Sequence, residues 1–371
     1  MKILFFHRWV GVHLGGTETH VRELSELLSR RGHEVSLLTR QGDYPKDYDP
    51  KIKVYRISKN PFESDHSYES AFLLYAHTVL FMLKSFFYLL YLRFIKGEKY
   101  DVISVHFATE SLVCQLFRLL FGTPYVFILE GYTKLEADVA KNANVAVAIS
   151  RHEVDDTFRY HGYKPLYIPK GRNSHFNLEV DGTETRRQYL GQAEKMLIAV
   201  GRIESRKDYP TLIAAAKYAL KKGKKYKWLI AGDGIDFQKI KNTIDAQNLS
   251  DVVVMLGPVK NNDLPKFYKA CDLFVLPTLY EGFGFVFVEA MACGLPVVST
   301  TAGAVPEVVG EAGVLVEPKN PEKFAEAAIS ILEDESLRSD LSKKALETAA
   351  YYDWNRLIVE YENAYQSVTK K

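Results

Sequence analysis

Two glutamates stand eight positions apart in "EGFGFVFVEAMACGLPVVST", residues 281–300, on either side of a glycine–aromatic run. The preceding "DLFVLPT" reads as a strand, "LYEGFGF" as a loop and "FVFVEAMACG" as a helix ended by Gly294. Gly282 and Gly284 then fall at the helix start, where unpaired amides and the positive end of the dipole suit a phosphate. Glu281 precedes the helix, beside whatever that phosphate carries. Glu289 falls about one and a half turns in, at ~3.6 residues per turn. A carboxylate there can accept hydrogen bonds from vicinal hydroxyls such as those of a ribose. The apolar residues from Val286 to Ala292 predict a partly buried Glu289, and a buried carboxylate needs a partner. None stands near it in the sequence.

A second cluster lies in "GRIESRKDYP" (201–210), between a strand and a helix, where Arg202, Arg206 and Lys207 gather. Arginine grips phosphate oxygens bidentately and lysine adds a point charge. Fixed cations there would stabilise a diphosphate that gains charge as its bond to a sugar breaks. The same residues also suit a charged, exposed turn. A third loop, "HLGGTETHV" (13–21), sets Gly15 and Gly16 before a helix, which fits either close approach of an anion or a tight turn. "AGDGIDF" carries Phe237 where a dinucleotide fingerprint would place its third glycine, and there is no G-x-x-x-x-G-K-[ST]; both facts argue against nicotinamide or flavin chemistry. "DYD" (47–49) is formally D-x-D, but it lies in a polar loop beside Pro45 and Lys46 and reads as surface.

The elements that would position these loops alternate almost from end to end. Strands are expected at 2–7, 33–39, 53–57, 101–107, 124–130, 145–150 and 166–171, with helices between them. Ser150 and Glu153 form a capping box at one helix start. A second series follows at 196–201, 227–234, 251–257, 272–278, 295–300 and 313–318. Short β-rich runs separated by helices imply parallel sheets covered on both faces. The expectation is a two-domain α/β chain: residues 1–172, a polar linker at 173–192, residues 193–352, and a terminal segment at 353–371. Such sheets bind ligands at the carboxyl ends of their strands, where the strand order reverses. Two of them facing each other would leave a cleft.

The 371 residues suit two domains, and a net charge of +2 is too small a basic excess for a nucleic-acid binder. Cys114, Cys271 and Cys293 are few and widely spaced, as expected of reduced thiols in a cytoplasmic protein. The apolar run at 71–95 has the length of a membrane span, but His77, Lys84 and Arg93 interrupt it. It reads as a buried or membrane-surface helix, so contact with the inner membrane surface is part of the expectation.

The 281–300 stretch resembles the E-x7-E signature of retaining glycosyltransferases with the GT-B fold, in particular glycosyltransferase family 4. The resemblance covers most of the chain. "GGTETHV" is similar to the family's first glycine loop, "VGRIESRKD" to its Arg/Lys phosphate loop, and "AGDG" to its next strand end. "AGAVPEVV" (302–309) and "YDWNRLIVEYENAYQ" resemble the loop after the signature and the C-terminal helix, which in this fold crosses back to the N-terminal domain. The resemblance implies two Rossmann-like, doubly wound parallel-sheet domains facing a central cleft. It implies that Glu289 binds the donor ribose and that Glu281, with the Phe283–Phe285 backbone around Gly284, contacts the transferred sugar. Arg202 and Lys207 would hold the diphosphate, and His106 would lie near the reacting sugar. Gly15, Gly16, Gly201, Asp233 and Gly234 would line the donor site. The chain departs from the pattern at Ser104, where a histidine is frequent, and at "ILEGY" (128–132), which replaces a His-Asp or His-Gly pair. "IPKGRNSHF" (168–176) brings Lys170, Arg172 and Asn173 in place of I-P-N-G-V-D. These departures fall in the N-terminal half and its exit, and leave the donor positions untouched.

The expected activity is retaining transfer of a hexose-type sugar from a nucleotide-diphosphate sugar, UDP-linked in preference to GDP-linked. It would use neither metal nor pyridoxal phosphate. The acceptor (a glycan, a lipid-linked molecule or a small molecule) is not legible. The competing readings are a sugar-nucleotide 2-epimerase of the same architecture, a phosphorylase, which would need pyridoxal phosphate and a longer chain, and a non-catalytic nucleotide-sugar binder.

Overall fold

The computed structural model describes residues 1–10, 15–41, 48–59, 71–131 and 133–369. The chain divides into two compact units, Met1–Gly171 with Asn355–Lys371, and Arg172–Trp354.

In the first unit β1 (Lys2–Phe6), β2 (Glu34–Gln41), β3 (Lys53–Lys59), β4 (Val102–Val105), β5 (Tyr125–Ile128), β6 (Val145–Ala148) and β7 (Leu166–Tyr167) form a parallel sheet in the order β3-β2-β1-β4-β5-β6-β7. Between them run α1 (Gly16–Arg30), α2 (Ala71–Phe94), α3 (Ala108–Phe121), α4 (Lys134–Ala140) and α5 (Arg151–His161). The central strands are apolar runs because helices cover both faces. Leu4 and Phe6 of β1, Ile103 and Val105 of β4, and Phe127 of β5 share one core with Phe81 and Leu89 of α2 and Val113 and Phe117 of α3. The helix expected at Ser150 forms with the serine half of the capping box: Ser150 Oγ accepts the Glu153 amide at 3.2 Å, while the Glu153 carboxylate accepts the Ile149 and Gly131 amides, each at 3.0 Å.

The second unit holds α6 (Thr183–Leu190), β8 (Lys195–Val200), α7 (Tyr209–Lys221), β9 (Tyr226–Ala231), α8 (Phe237–Ala246), β10 (Val253–Gly257), α9 (Leu264–Ala270) and β11 (Leu273–Leu276). It continues with α10 (Phe285–Ala292), β12 (Val297–Thr300), α11 (Val305–Val309), β13 (Gly313–Val316), α12 (Pro321–Glu333) and α13 (Glu335–Tyr351). Its sheet is again parallel, in the order β10-β9-β8-β11-β12-β13. The final helix, α14 (Trp354–Thr369), packs from residue 355 onward with the first unit. Its Tyr361 hydroxyl donates to the Ile168 carbonyl at 3.3 Å, and Glu362 meets Arg31 and His33 at 2.7 and 2.9 Å.

The stretch expected as a linker, 173–192, is corrected: it contains α6 and belongs to the second unit. Arg186 of α6 donates to the Ala270 carbonyl at 2.7 Å and to Asp272 at 3.0 Å. This short helix is docked chiefly by polar bonds, with the Tyr189 ring 5.9 Å from that of Phe267, and none of its residues is fully buried. It therefore shows no hydrophobic period. In each sheet the order reverses at one place, between β1 and β4 in the first unit and between β8 and β11 in the second.

Candidate functional site

The second unit's reversal point is where the loops after β8 and β11 meet. The loop after β8 carries Gly201 and Arg202, then a 3-10 turn, Ser205–Lys207. That turn brings Lys207 back over the sheet, where it is buried and its ammonium donates to the carboxylate of Glu281 from the loop after β11. Glu281 is itself buried. Burial strips both charges of water, so the pair must satisfy itself internally. Thr278 adds a contact at 3.4 Å to the same carboxylate oxygen and donates to the Arg206 carbonyl at 3.1 Å, while the Leu279 amide donates to that carbonyl at 2.8 Å. The two loops are thus sewn together at main-chain level.

Arg202 and Arg206 behave differently from Lys207. Both are exposed. Arg206 bonds Glu204 at 2.9 Å. Arg202 pairs with no carboxylate among the described residues, which leaves its guanidinium available to an anion. The loop after β9 completes the edge: the Ile203 amide donates to the Asp233 carbonyl at 2.8 Å, and the exposed Asp233 side chain accepts the Gly234 amide at 2.8 Å.

Gly284 caps α10 with φ 84°, a left-handed conformation that an L-residue adopts at a cost. A Cβ there would lie 2.6 Å from the Phe287 ring. The first amides of α10 lack intrahelical acceptors by geometry. Phe283 is buried, its ring 5.4 Å from that of Phe285 and 5.3 Å from that of Tyr352. Behind Glu281 stands Gly303, φ 59°, where a Cβ would come within 2.4 Å of the Glu281 carbonyl oxygen; the Ala304 amide donates to that oxygen at 2.9 Å. Glu289 is half-buried, as its neighbours imply. Its partner, missing from the nearby sequence, is Tyr268 of α9, whose hydroxyl donates to Oε2 at 3.1 Å. Burial, then the Glu289 charge, raises the Tyr268 phenol well above its ordinary value, so it stays a donor.

In the first unit the reversal point gathers histidines. His7 follows β1 and His106 follows β4, their ring centroids 5.5 Å apart; His20 of α1 lies 5.9 Å from His106. All three are fully buried. Burial, reinforced by His106, holds the His7 imidazole well below its usual value, and burial with Lys170 does the same for His20. His106 is tied through Nδ1 to Glu130 Oε1 at 2.8 Å. The other Glu130 oxygen accepts from Thr17 at 3.0 Å and from the Lys170 ammonium. Burial alone would raise the Glu130 carboxyl, but Lys170 and the His106 bond outweigh it and hold it well below the usual carboxylate range. An ionised Glu130 makes His106 Nδ1 the donor. The opposite ring nitrogen, Nε2, is buried and meets no hydrogen-bond partner among the described residues.

Two of the departures from the family pattern account for each other, and the rest find partners elsewhere. Glu130 and Lys170, forty positions apart, form one buried pair. Ser104 shares a 2.8 Å bond with the Tyr365 hydroxyl of α14. Arg172 donates to the carbonyls of Ala349 and Phe176 and to Asp353, at 3.1 to 3.3 Å, and Asn173 accepts the His175 amide at 3.3 Å. Of the expected site residues, the structure brings Lys207 and Glu281 into contact and sets Gly201, Arg202, Asp233, Gly234, Phe283, Gly284, Phe285 and Glu289 on the strand ends and helix of the same unit. His106, Gly15 and Gly16 belong to the first unit. Gly15 caps α1, and its carbonyl accepts the Thr19 amide at 3.0 Å; His13 and Leu14 of that loop lie outside the described residues. So does Asp47 of "DYD", whose Asp49 accepts the Lys51 amide at 2.9 Å as a turn does. Glu130 and Lys170 stood out only as separate departures, and His7 and Tyr268 were not expected. His7 carried a legible signal, since it ends β1 as His106 ends β4.

Residues 14–173 match the family described as Glycosyltransferase Family 4, and residues 182–348 the one described as Glycosyl transferases group 1. The chain is 29% identical to an uncharacterised glycosyltransferase of Methanocaldococcus jannaschii, over 95% of this chain and 94% of that protein. It is 26% identical to the N-acetyl-alpha-D-glucosaminyl L-malate synthase of Bacillus anthracis, over 96% and 95%. It is 27% identical to the D-inositol 3-phosphate glycosyltransferase of Geodermatophilus obscurus, over 96% and 86%. Among solved structures, sucrose-phosphate synthase from Thermosynechococcus elongatus matches with a TM-score of 0.83 at 23% identity, over 99% of this chain and 98% of that one. Anabaena HepE in complex with UDP and glucose matches with 0.78 at 20%, over 99% and 100%. These likenesses identify the fold as GT-B, with parallel-sheet domains of seven and six strands.

Proposed function

Because the chain belongs to the glycosyltransferases that join a family 4 domain to a group 1 domain, we propose that it transfers a hexose-type sugar, with retention of configuration, from a nucleotide-diphosphate sugar to an acceptor hydroxyl. The observation that carries this reading is the buried Lys207–Glu281 pair at the reversal point of the second sheet, in a loop that also carries the exposed Arg202, which pairs with no carboxylate among the described residues. Arg202 and Lys207 supply fixed positive charge to a departing diphosphate, and the amides opening α10 add their dipole. Glu289, oriented by Tyr268, accepts from the ribose hydroxyls. Glu281, held by Lys207 and backed by Gly303, contacts the sugar. The bond between the anomeric carbon and the diphosphate oxygen breaks with its electron pair leaving on oxygen. The acceptor hydroxyl attacks the oxocarbenium-like carbon from the same face, where the departing oxygen is the nearest base for its proton. His106, fixed by Glu130, serves near the reacting sugar.

The Anabaena protein of the same fold was captured with UDP and glucose, which supports a UDP-sugar over a GDP-sugar. Relatives of similar identity are named for different acceptors, a malate and an inositol phosphate, so the donor is the half of the reaction to test first. Nucleotide sugars are screened for slow hydrolysis by mass spectrometry, with and without EDTA. The expected result is release of UDP and free sugar from one UDP-hexose, unchanged by EDTA. Conversion of the nucleotide sugar into its epimer, binding with no turnover, or loss of activity in EDTA would each overturn the corresponding part of the proposal.

A further inference from the structure

We propose that the outer face of α2 and α3 is a docking surface for an anionic lipid bilayer, lying on it rather than crossing it. Helix α2 turns Phe81, Ser85, Leu89 and Leu92 into the first unit. Its opposite face presents Leu80, Leu83, Phe87, Tyr91 and Phe94 to solvent, spaced by three and four residues, with Phe87 64% exposed. That is an unbroken apolar stripe about 20 Å long at 1.5 Å per residue. Helix α3 repeats the pattern with Leu112, Leu116, Leu119 and Leu120, Leu119 being 71% exposed. The two stripes merge at their C-terminal ends, where the Phe94 and Phe121 rings lie 5.5 Å apart and the Arg93 guanidinium sits 5.0 Å from the Phe121 ring. A soluble surface seldom leaves apolar side chains contiguous over two neighbouring helices.

Charge selects the occupant. Helix α2 contains no Asp or Glu, and the one carboxylate of α3, Glu110, is fully buried against Arg8. The charges that border the stripes are Lys84, Arg93, Lys96 and Arg118, with Lys99 just beyond; Glu98, which lies between the last two lysines, is paired with Lys2 and Lys53. Basic side chains with long aliphatic stems, set around an apolar face, match headgroup phosphates above acyl chains. Among the described residues no helix is long and apolar enough to cross a membrane, and α2 cannot leave the unit without surrendering Phe81 and Leu89 from its core. A helix anchored on one side and greasy on the other lies in the interface plane. This inference is independent of the sugar transferred.

The test uses the whole chain with vesicles of phosphatidylcholine alone or mixed with phosphatidylglycerol, at low and high salt, scored by co-sedimentation. Binding to the mixed vesicles is expected to exceed binding to phosphatidylcholine by roughly tenfold or more and to weaken in high salt, since each basic residue near an anionic surface contributes roughly fivefold. The variant Leu83→Ser/Phe87→Ser/Leu119→Ser should lose binding at least tenfold. Lys84→Gln/Lys96→Gln, which removes charge and leaves the apolar stripe, should lose only the anionic preference. Thermal unfolding and donor hydrolysis in solution are measured on the same variants and should not change, which separates this surface from the catalytic reading. No binding to mixed vesicles at low salt overturns the proposal, as does equal binding by the triple-serine variant. A self-associated chain that ignores vesicles and is split by those serines also overturns it, assigning the face to a second copy.

Discussion

Replacing Lys170 by methionine should destabilise the first unit out of proportion to a single side chain. The Lys170 and Glu130 side chains are 4% and 6% exposed, so the substitution leaves a carboxylate in a dry site with Thr17 and His106 as its hydrogen-bond partners among the described residues. Removing one partner of a buried pair costs about 3–5 kcal/mol. Removing both in Glu130→Gln/Lys170→Met should cost less than the single change, because no uncompensated charge remains. The free energy is read from hydrogen exchange of the β1 and β4 amides, which report on this unit. Exchange through global opening should accelerate roughly 10²–10⁴-fold in Lys170→Met and much less in the double variant. The pH dependence has a defined sign. In the native protein the Glu130 carboxyl titrates below its unfolded value of about 4.5. Its contribution is therefore complete at neutral pH and fades only as the pH falls below the ordinary carboxylate range toward the depressed folded value. Without Lys170, burial dominates and the folded value lies above the unfolded one, so stability is lost as the pH rises. The gap between native and variant should narrow on acidification from neutrality. A gap that widens, or single effects that add to the double within about 0.5 kcal/mol, would refute the coupled pair.

Three further outcomes concern the second unit. Arg202→Met should abolish most donor turnover while leaving stability within about 0.5 kcal/mol, as for exposed positions generally; Lys207→Met should lose both, with about 3–5 kcal/mol of stability gone, and parallel hydrolysis and unfolding assays separate them. Glu289→Ala should chiefly weaken donor affinity, and Tyr268→Phe should weaken it by about 1 kcal/mol without lowering turnover at saturation; calorimetry with UDP that finds Glu289→Ala unchanged would remove the ribose role. Gly303→Ala should destabilise and cost activity, since its Cβ meets the Glu281 carbonyl at 2.4 Å; a variant of native stability would show that the loop yields freely.

What the sequence makes legible follows from the range of the interactions. The strands announce themselves because a parallel strand buried on both faces must be a short apolar run, as in "VISV" and "VVST". Helix α6 does not, since it docks through Arg186 and has no buried residue. The "EGFGF" loop is readable because glycine, aromatic and carboxylate stand side by side. The pairs Lys207–Glu281, Tyr268–Glu289 and Lys170–Glu130 span 74, 21 and 40 positions, and nothing local in one member points to the other. Lys170 and Glu130 therefore read as separate departures until the sheet brings them together.

The placement of α14 bears on the order in which the protein can be completed during synthesis. Ordinarily the first domain of a chain folds as soon as it has emerged. Here Tyr365 supplies the partner of Ser104, Tyr361 lies 5.4 Å from the His20 ring, and Glu362 pairs with Arg31 and bonds His33. None of these groups exists on a ribosome that has produced only residues 1–171. A nascent first unit must therefore wait through the whole of 172–354 with the face that α14 covers left open, while the second unit is contiguous in sequence. The unit begun first is finished last, and a ribosome stalled beyond residue 354 would release a chain with one sound half and one unsealed half.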